Sequence, residues 1–124
     1  MNLKKIRNFT DLVVWQEGHK LVLLIYKLVE KFPGKEQFVL TNQIVRAAVS
    51  VTSNIAEGFG RPGLKEKIKF YFIAQASLVE VQNQIIIARD IRYISLPEFD
   101  NAWNRILLVH KLLTGLIRSL KSKP

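Results

Sequence analysis

The chain has 124 residues, of which 48% are hydrophobic, enough for one domain with its own apolar core. It has no cysteine, which excludes disulfides and thiolate metal sites and fits a reducing compartment. Its formal net charge of +9 favours a polyanionic partner. No apolar stretch is as long as a membrane span, and residues 1–12 do not resemble a signal peptide, so we expect a cytoplasmic protein outside the membrane.

Proline and glycine divide the chain into four helical segments, which we predict at residues 11–32, 36–57, 64–92 and 96–119. Asp11 is the expected N-cap of the first, with Thr10 as its competitor. No segment alternates between apolar and polar residues with period two. The sequence therefore predicts an all-α, antiparallel up-and-down four-helix bundle that forms a single domain over residues 1–124.

Apolar spacing predicts which face of each helix enters the core. The predicted core residues of the first helix are Trp15, Val22, Tyr26 and Val29. Those of the third are Tyr71, Ala74, Leu78, Val81, Ile85 and Ala88. The fourth begins at a capping box, Ser95 to Glu98, and its predicted core residues are Phe99, Trp103, Ile106, His110, Leu113, Ile117 and Leu120.

The second helix carries two stripes at helical spacing. Ile44, Ala48, Val51 and Ile55 form the apolar stripe, and Arg46, Ser50, Asn54 and Glu57 form the polar one. We interpret the polar stripe as an internal network, with Glu80 of the third helix as the expected partner of Arg46. A ligand or catalytic site is the alternative, although no nucleophile, base and orienting group accompany it.

The glycines that follow match the dinucleotide-binding pattern G-x-G-x-x-G, from Gly58 to Gly63. That pattern binds a dinucleotide only between a strand and a helix, whereas here it joins two helices and contains Pro62. We therefore predict that Gly58 ends the second helix as its C-cap and that Gly60 and Gly63 shape the turn.

Two further observations concern chemistry and assembly. Neither His19 nor His110 follows a glutamate at the spacing of a di-iron motif, so we expect no metal, no cofactor and no enzymatic activity. The third helix is apolar beyond its core face, at Phe72, Ile73, Val79, Ile86, Ile87 and Ile91. This surplus predicts self-association, with burial against a different protein as the alternative.

Basic residues are gathered in three segments of the chain. Residues 1–10 and all positions after Asp100 lack an acid, and residues 61–69 contain only Glu66. This distribution favours binding to nucleic acid, while a role in solubility alone is the alternative. The candidate backbone contacts are Lys4, Lys5, Arg7, Arg61, Lys65, Lys67, Lys69, Lys121 and Lys123. No aromatic residue is interleaved with them in a stacking pattern, so we expect little base readout.

Several short motifs occur in an order that resembles a known family. They are Phe9-x-Asp11-Leu12-x-x-Trp15, Tyr26, Phe32-Pro33, Gln43-x-x-Arg46-Ala47, Ser50, Asn54-Ile55-Ala56-Glu57-Gly58 with Arg61 just after, and Ala76-Ser77-Leu78-x-Glu80. The chain resembles the bacterial four-helix-bundle proteins encoded in intervening sequences of large-subunit ribosomal RNA genes, which are often labelled as ribosomal proteins. The resemblance implies a bundle, a homopentamer and no enzymatic activity.

The same family is similar to the accessory variability protein of diversity-generating retroelements, a basic pentamer that binds nucleic acid and a reverse transcriptase. This chain has Leu113-Thr114-Gly115-Leu116 where that branch has Gly-Gly-Trp. Our leading hypothesis is a non-enzymatic, basic homo-oligomer that binds RNA or DNA through backbone charge. The alternative is a protein-interaction scaffold, such as an accessory subunit for a reverse transcriptase.

Overall fold

The computed structural model describes residues 5–124 and contains four α-helices. They are α1 (Val13–Val29), α2 (Leu40–Gly60), α3 (Leu64–Asp90) and α4 (Leu96–Lys121), and residues 5–124 contain no strand. Each helix packs against its neighbours in the chain, and α4 also packs against α1, which closes the bundle. The predicted all-α four-helix bundle is confirmed. Candidate residue Lys4 lies outside the described residues.

The helix ends follow from local capping. At the start of α4, Ser95 Oγ accepts from the Glu98 amide at 3.2 Å, and Glu98 Oε1 accepts from the Ser95 amide at 2.8 Å. This reciprocal pair confirms the predicted capping box. α3 ends at Asp90, and Arg92 then adopts a left-handed backbone with φ of 66°, which reverses the chain toward α4.

The N-terminal cap differs from the prediction, because Asp11 does not cap α1. A 3-10 turn over Phe9–Asp11 comes first, and Asn8 Oδ1 accepts from the Thr10 amide at 3.0 Å. Asp11 Oδ2 in turn accepts from the amides of Arg7 and Asn8 at 3.0 and 3.1 Å. The carboxylate therefore closes the preceding turn, and α1 begins at Val13 with no side-chain cap.

α2 also begins later than predicted. Pro33 is followed by a second 3-10 turn, Gly34–Glu36, and Val39 has φ of −120° and ψ of −103°, which is not helical. The predicted apolar stripe of α2 is confirmed, because Ile44, Ala48, Val51 and Ile55 are all buried. The predicted core residues of α3 are likewise all buried, from Tyr71 to Ala88.

The predicted core face of α1 is wrong at Tyr26, which is 52% exposed. The helix instead buries Gly18, Leu21, Ile25 and Leu28, at offsets of three, four and three. Gly18 faces α2 closely, since a Cβ atom on it would lie 3.2 Å from Cγ2 of Thr52. A tyrosine on this face would bury its hydroxyl in the core, and leucine and isoleucine fill the space with no polar atom to satisfy.

The predicted core position of His110 on α4 is also wrong. Val109 is fully buried together with Ala102, Ile106 and Leu113, whereas His110 is exposed. α4 contacts both α1 and α3, and its core face takes in Ala102 and Val109 in place of the residue that follows each of them. The imidazole of His110 thus stays in contact with water and avoids the free-energy cost of desolvation.

Gly58 does not end α2, because the helix continues to Gly60. No glycine in residues 5–124 has a positive φ, so the predicted C-cap is wrong. Gly58 is buried against the ring of Tyr71 on α3, and a Cβ atom there would lie 2.6 Å from Cε1 of the ring. The glycine allows α2 and α3 to approach closely.

Candidate nucleic-acid interface

The N-terminal segment lies against the turn between α2 and α3. Phe9 and the turn residues Gly60, Arg61 and Pro62 line one open cleft of about 630 Å³. The ring of Phe9 also packs edge-on against Trp15 of α1, with 5.3 Å between the ring centroids. Two of the three basic segments therefore meet at the same end of the bundle.

The C-terminal segment reaches that end as well. α4 runs antiparallel to α3, and Lys121 Nζ at its end lies 4.9 Å from the centroid of the Phe72 ring, near the start of α3. We call this end of the bundle the basic end. The candidate residues that it brings together are Lys5, Arg7, Arg61, Lys65, Lys67, Lys69, Lys121 and Lys123.

Three acidic side chains at the opposite end have a polar partner. Glu98 forms an ion pair with Lys31, and Glu36 accepts a hydrogen bond from the Tyr93 hydroxyl at 2.7 Å. Asp90 pairs with Arg89 at 2.8 Å. We call this the far end, and its positive and negative groups largely offset each other, so the excess positive charge lies at the basic end.

The cations of the basic end do not all have the same surroundings. Lys67 Nζ donates to the backbone carbonyls of Gly58 at 3.3 Å and Phe59 at 2.5 Å, and so caps the C-terminus of α2. Partial burial lowers the pKa of Lys67. Arg61 pairs with Glu57 at 3.2 Å, while Lys65 and Lys69 are exposed on the first turns of α3. Lys65 and Lys69 are thus the turn cations best placed to meet a phosphate.

Aromatic rings accompany these cations, which sequence reasoning missed. Lys67 lies 5.4 Å from the centroid of Phe59, and the guanidinium of Arg61 lies 4.6 Å from that of Phe70. With Lys121 and Phe72, they form three cation–π pairs at the basic end. Lys67 and Phe59 lie on opposite sides of the α2–α3 turn, and Lys121 and Phe72 lie on different helices, so antiparallel packing brings these two pairs together.

The predicted polar stripe of α2 divides into an inner and an outer part. The hydroxyls of Ser50 and Ser77 lie 2.8 Å apart between α2 and α3. Asn54 Nδ2 donates to the carbonyl of Ser50 at 2.8 Å and to its Oγ at 3.0 Å. Arg46 and Glu57 are exposed and lie outside this network. The internal network that we predicted therefore consists of Ser50, Asn54 and Ser77.

Arg46 and Glu80 line one open cleft of about 550 Å³ beside α2 and α3. In the described part of the chain they form no ion pair with each other, because none joins them within 4.0 Å. Gln84 lines the same cleft, and its Oε1 atom is buried without a hydrogen-bond partner in residues 5–124. The expected Arg46–Glu80 ion pair is not formed.

Residues 5–124 contain no group of three or more histidine, cysteine or acidic side chains that could hold a metal ion. Across residues 5–124, none of the helices is long and apolar enough to cross a membrane.

Comparison with known proteins gives matches both in structure and in sequence. A solved structure from Bacteroides thetaiotaomicron, described as a protein with unknown function from the S23 ribosomal protein family, has a TM-score of 0.79 to this chain. The two are 23% identical in sequence, and the match covers 85% of this chain and 98% of the other, which shows a shared fold. No functionally curated protein matches. A profile of the 23S rRNA-intervening sequence protein matches residues 10–115, and the chain therefore belongs to this family.

Proposed function

We propose that this chain is a non-enzymatic, cytoplasmic homo-oligomer whose basic end binds RNA or DNA through the phosphate backbone. The observation that carries the proposal is the convergence of the three basic segments at the basic end. Positive charge on one end of a bundle attracts a polyanion more strongly than the same charge spread evenly over its surface.

The chemistry of the basic end favours contact with phosphates over recognition of sequence. Lys65 and Lys69 project from successive turns of α3, and Lys121 lies near them on α4. Lysine ammonium groups contact phosphates as point charges and do not distinguish base pairs. We therefore expect binding that depends on salt more than on sequence.

A titration of labelled hairpin RNA and duplex DNA at several salt concentrations tests this proposal. The logarithm of the association constant should fall linearly with the logarithm of the salt concentration, with a slope of about −0.9 for each contacted phosphate of a DNA duplex. An absence of binding to both probes at low salt would contradict the proposal.

Self-association is the second part of the proposal, and exposed apolar side chains on α3 support it. Ile73, Val79 and Ile87 of α3, and Ile91 directly after its end, are each at least 40% exposed. Burial of these side chains between copies of the chain would remove from water an apolar surface that soluble monomers seldom expose. The family resemblance implies a pentamer. Light scattering should give the mass of a multiple of the chain, and a monomer at micromolar concentration would contradict this part.

A protein-interaction scaffold is the second candidate function. Phe38 is 83% exposed, and its neighbour Val39 is also exposed, both at the far end of the bundle and so away from the basic end. Aromatic residues of this kind are frequent at the centre of protein interfaces. Binding of a purified reverse transcriptase that survives nuclease treatment would favour the scaffold, and binding that nuclease abolishes would favour the nucleic-acid proposal.

A further inference from the structure

A groove of about 350 Å³ runs between α3 and α4 near the basic end. Its wall on α3 includes Phe72 and Gln75, and its wall on α4 includes His110, Thr114, Arg118 and Lys121. The volume lies within the range of sites that hold small organic groups. The groove is therefore large enough to hold a small organic group and not only a single ion.

The charged groups of the groove all have one sign. Arg118 and Lys121 are three residues apart on α4, so their side chains project from the same face of the helix. No carboxylate is among the described residues that line the groove. An anionic group is therefore favoured here over a neutral or cationic one.

The groove also offers an aromatic surface. Phe72 is 45% exposed, and the ammonium group of Lys121 lies 4.9 Å from the centroid of its ring. A planar base that stacks on an exposed phenylalanine contributes binding energy whatever its identity, because every base has a π-face.

Two polar groups complete the wall. Gln75 Nε2 donates to Thr114 Oγ1 at 3.0 Å, which fixes both side chains across the α3–α4 interface. The amide oxygen of Gln75, its second N–H and the Thr114 hydroxyl hydrogen remain to meet a ligand. These groups match the donors and acceptors along the edge of a base.

We propose that this groove binds one unpaired nucleotide, whose base stacks on Phe72 while Arg118 and Lys121 contact the adjoining phosphates. The proposal rests on the proposed function and specifies its ligand. Bases inside a duplex are stacked on each other and do not present a free face, so the groove selects single-stranded over double-stranded nucleic acid.

Fluorescence anisotropy with two probes tests the groove. One is a short labelled RNA of CA repeats, which cannot pair with itself, and the other is the same RNA annealed to its complement. The substitution Phe72→Leu keeps an apolar side chain and removes the ring. It should weaken binding of the single strand by about five- to a hundredfold and leave binding of the duplex unchanged.

The control is Phe38→Leu, which makes the same chemical change on an exposed phenylalanine at the far end and should not alter either affinity. Equal loss of affinity for both RNAs in the Phe72→Leu variant, or no loss for either, would overturn the groove proposal. A change in the mass of the assembly that accompanies the loss of affinity would also overturn the groove proposal, because Phe72 would then act at a contact between subunits.

The outcome also separates the two proposals. If the wild-type protein binds the duplex as tightly as the single strand, the proposed function holds and the nucleotide groove is wrong. If it binds neither of these RNAs nor duplex DNA at low salt, the proposed function itself fails.

Discussion

Gly58 of α2 and Tyr71 of α3 pack so closely that a Cβ atom on the glycine would lie 2.6 Å from Cε1 of the ring. Both residues are buried, and the tyrosine belongs to the continuous core of α3. The contact sets how near α2 and α3 approach each other, beside the turn that carries Arg61 and the start of α3 that carries Lys65 and Lys67. The geometry of the basic end therefore depends on a glycine in the core.

Gly58→Ala should destabilise the bundle by about 1–3 kcal/mol, because the added methyl group overlaps the Tyr71 ring. Gly115→Ala is the matched control, since α4 is helical there and, apart from its chain neighbours and its own helix backbone, no atom of the described residues lies within 4 Å of the added Cβ. It should raise stability by up to about 1 kcal/mol. Urea unfolding measures the free energy of unfolding of both variants. Equal effects of the two substitutions would show that overlap with the Tyr71 ring is not the cause of the destabilisation.

The hydroxyl pair Ser50–Ser77 should stabilise the α2–α3 interface. Each of Ser50→Ala and Ser77→Ala is expected to lower the free energy of unfolding by about 1 kcal/mol, because each leaves the other hydroxyl with one partner fewer. The double variant should lose less than the sum of the two single losses. Thermal unfolding of the four proteins gives this coupling, and strict additivity would argue against a direct hydrogen bond.

Glu98 is expected to make stability depend on pH under acidic conditions. Its hydrogen bond with Lys31, followed by that with the Ser95 amide, lowers the pKa of Glu98 from 4.5 to about 2. A carboxylate with a lowered pKa stabilises the fold above about pH 4.5, and this contribution is lost as the pH falls toward 2. Glu98→Gln should cost about 1 kcal/mol at pH 7, and its stability should converge with that of the wild type near pH 2.

Glu30→Gln serves as the control for Glu98, because it removes an exposed carboxylate at the C-terminal end of α1. A negative charge is unfavourable at that end of a helix, so this substitution should leave stability unchanged or raise it slightly. If both variants show the same pH profile, the Lys31 contact does not cause the acid sensitivity.

The position of positive charge, and not its amount, should determine nucleic-acid affinity. The double substitution Lys65→Gln and Lys69→Gln removes two charges from the basic end and should reduce the salt slope by about 2. Lys27→Gln with Lys35→Gln removes the same charge near the far end and should change the slope little. Anisotropy titrations over a range of salt compare the two, and equal slopes would mean that binding depends on net charge alone.

The buried amide oxygen of Gln84 should weaken the bundle. Gln84→Met keeps the length of the side chain and removes an acceptor that has no partner in residues 5–124, so stability should be equal or higher by about 1 kcal/mol. Gln75→Met is the comparison, because it breaks the hydrogen bond to Thr114 and should be destabilising. A loss of stability in Gln84→Met would reveal a partner for this amide in solution.

The core face of α3 could be predicted from the sequence, and that of α1 could not. Tyr71 to Ala88 on α3 alternates by three and four, and every predicted core position is buried. On α1, two overlapping stripes compete, and only packing against α2 and α4 selects Leu21 over Tyr26. The spacing of Gly18, Leu21, Ile25 and Leu28 was the available signal, because a glycine within a helix often marks a close contact.

The sequence predicted which residues supply the positive charge of the candidate interface, but not where the fold places them. The basic segments are visible in the sequence, but their convergence follows from the up-and-down topology. The same topology brings Phe72 within reach of Lys121, although they are far apart along the chain. The order of residues along the chain does not show which distant residues become neighbours in the bundle. The sequence therefore did not predict an aromatic surface on which a base could stack.

The uneven charge along the bundle also has a consequence for association kinetics. The peptide dipoles of neighbouring antiparallel helices largely cancel, so the side chains dominate the electric dipole moment of the subunit, which points along the bundle axis toward the basic end. A polyanion exerts a torque on such a dipole and turns the molecule before contact is made. Association should consequently be fast at low ionic strength and slow markedly once the Debye length falls below the length of the bundle.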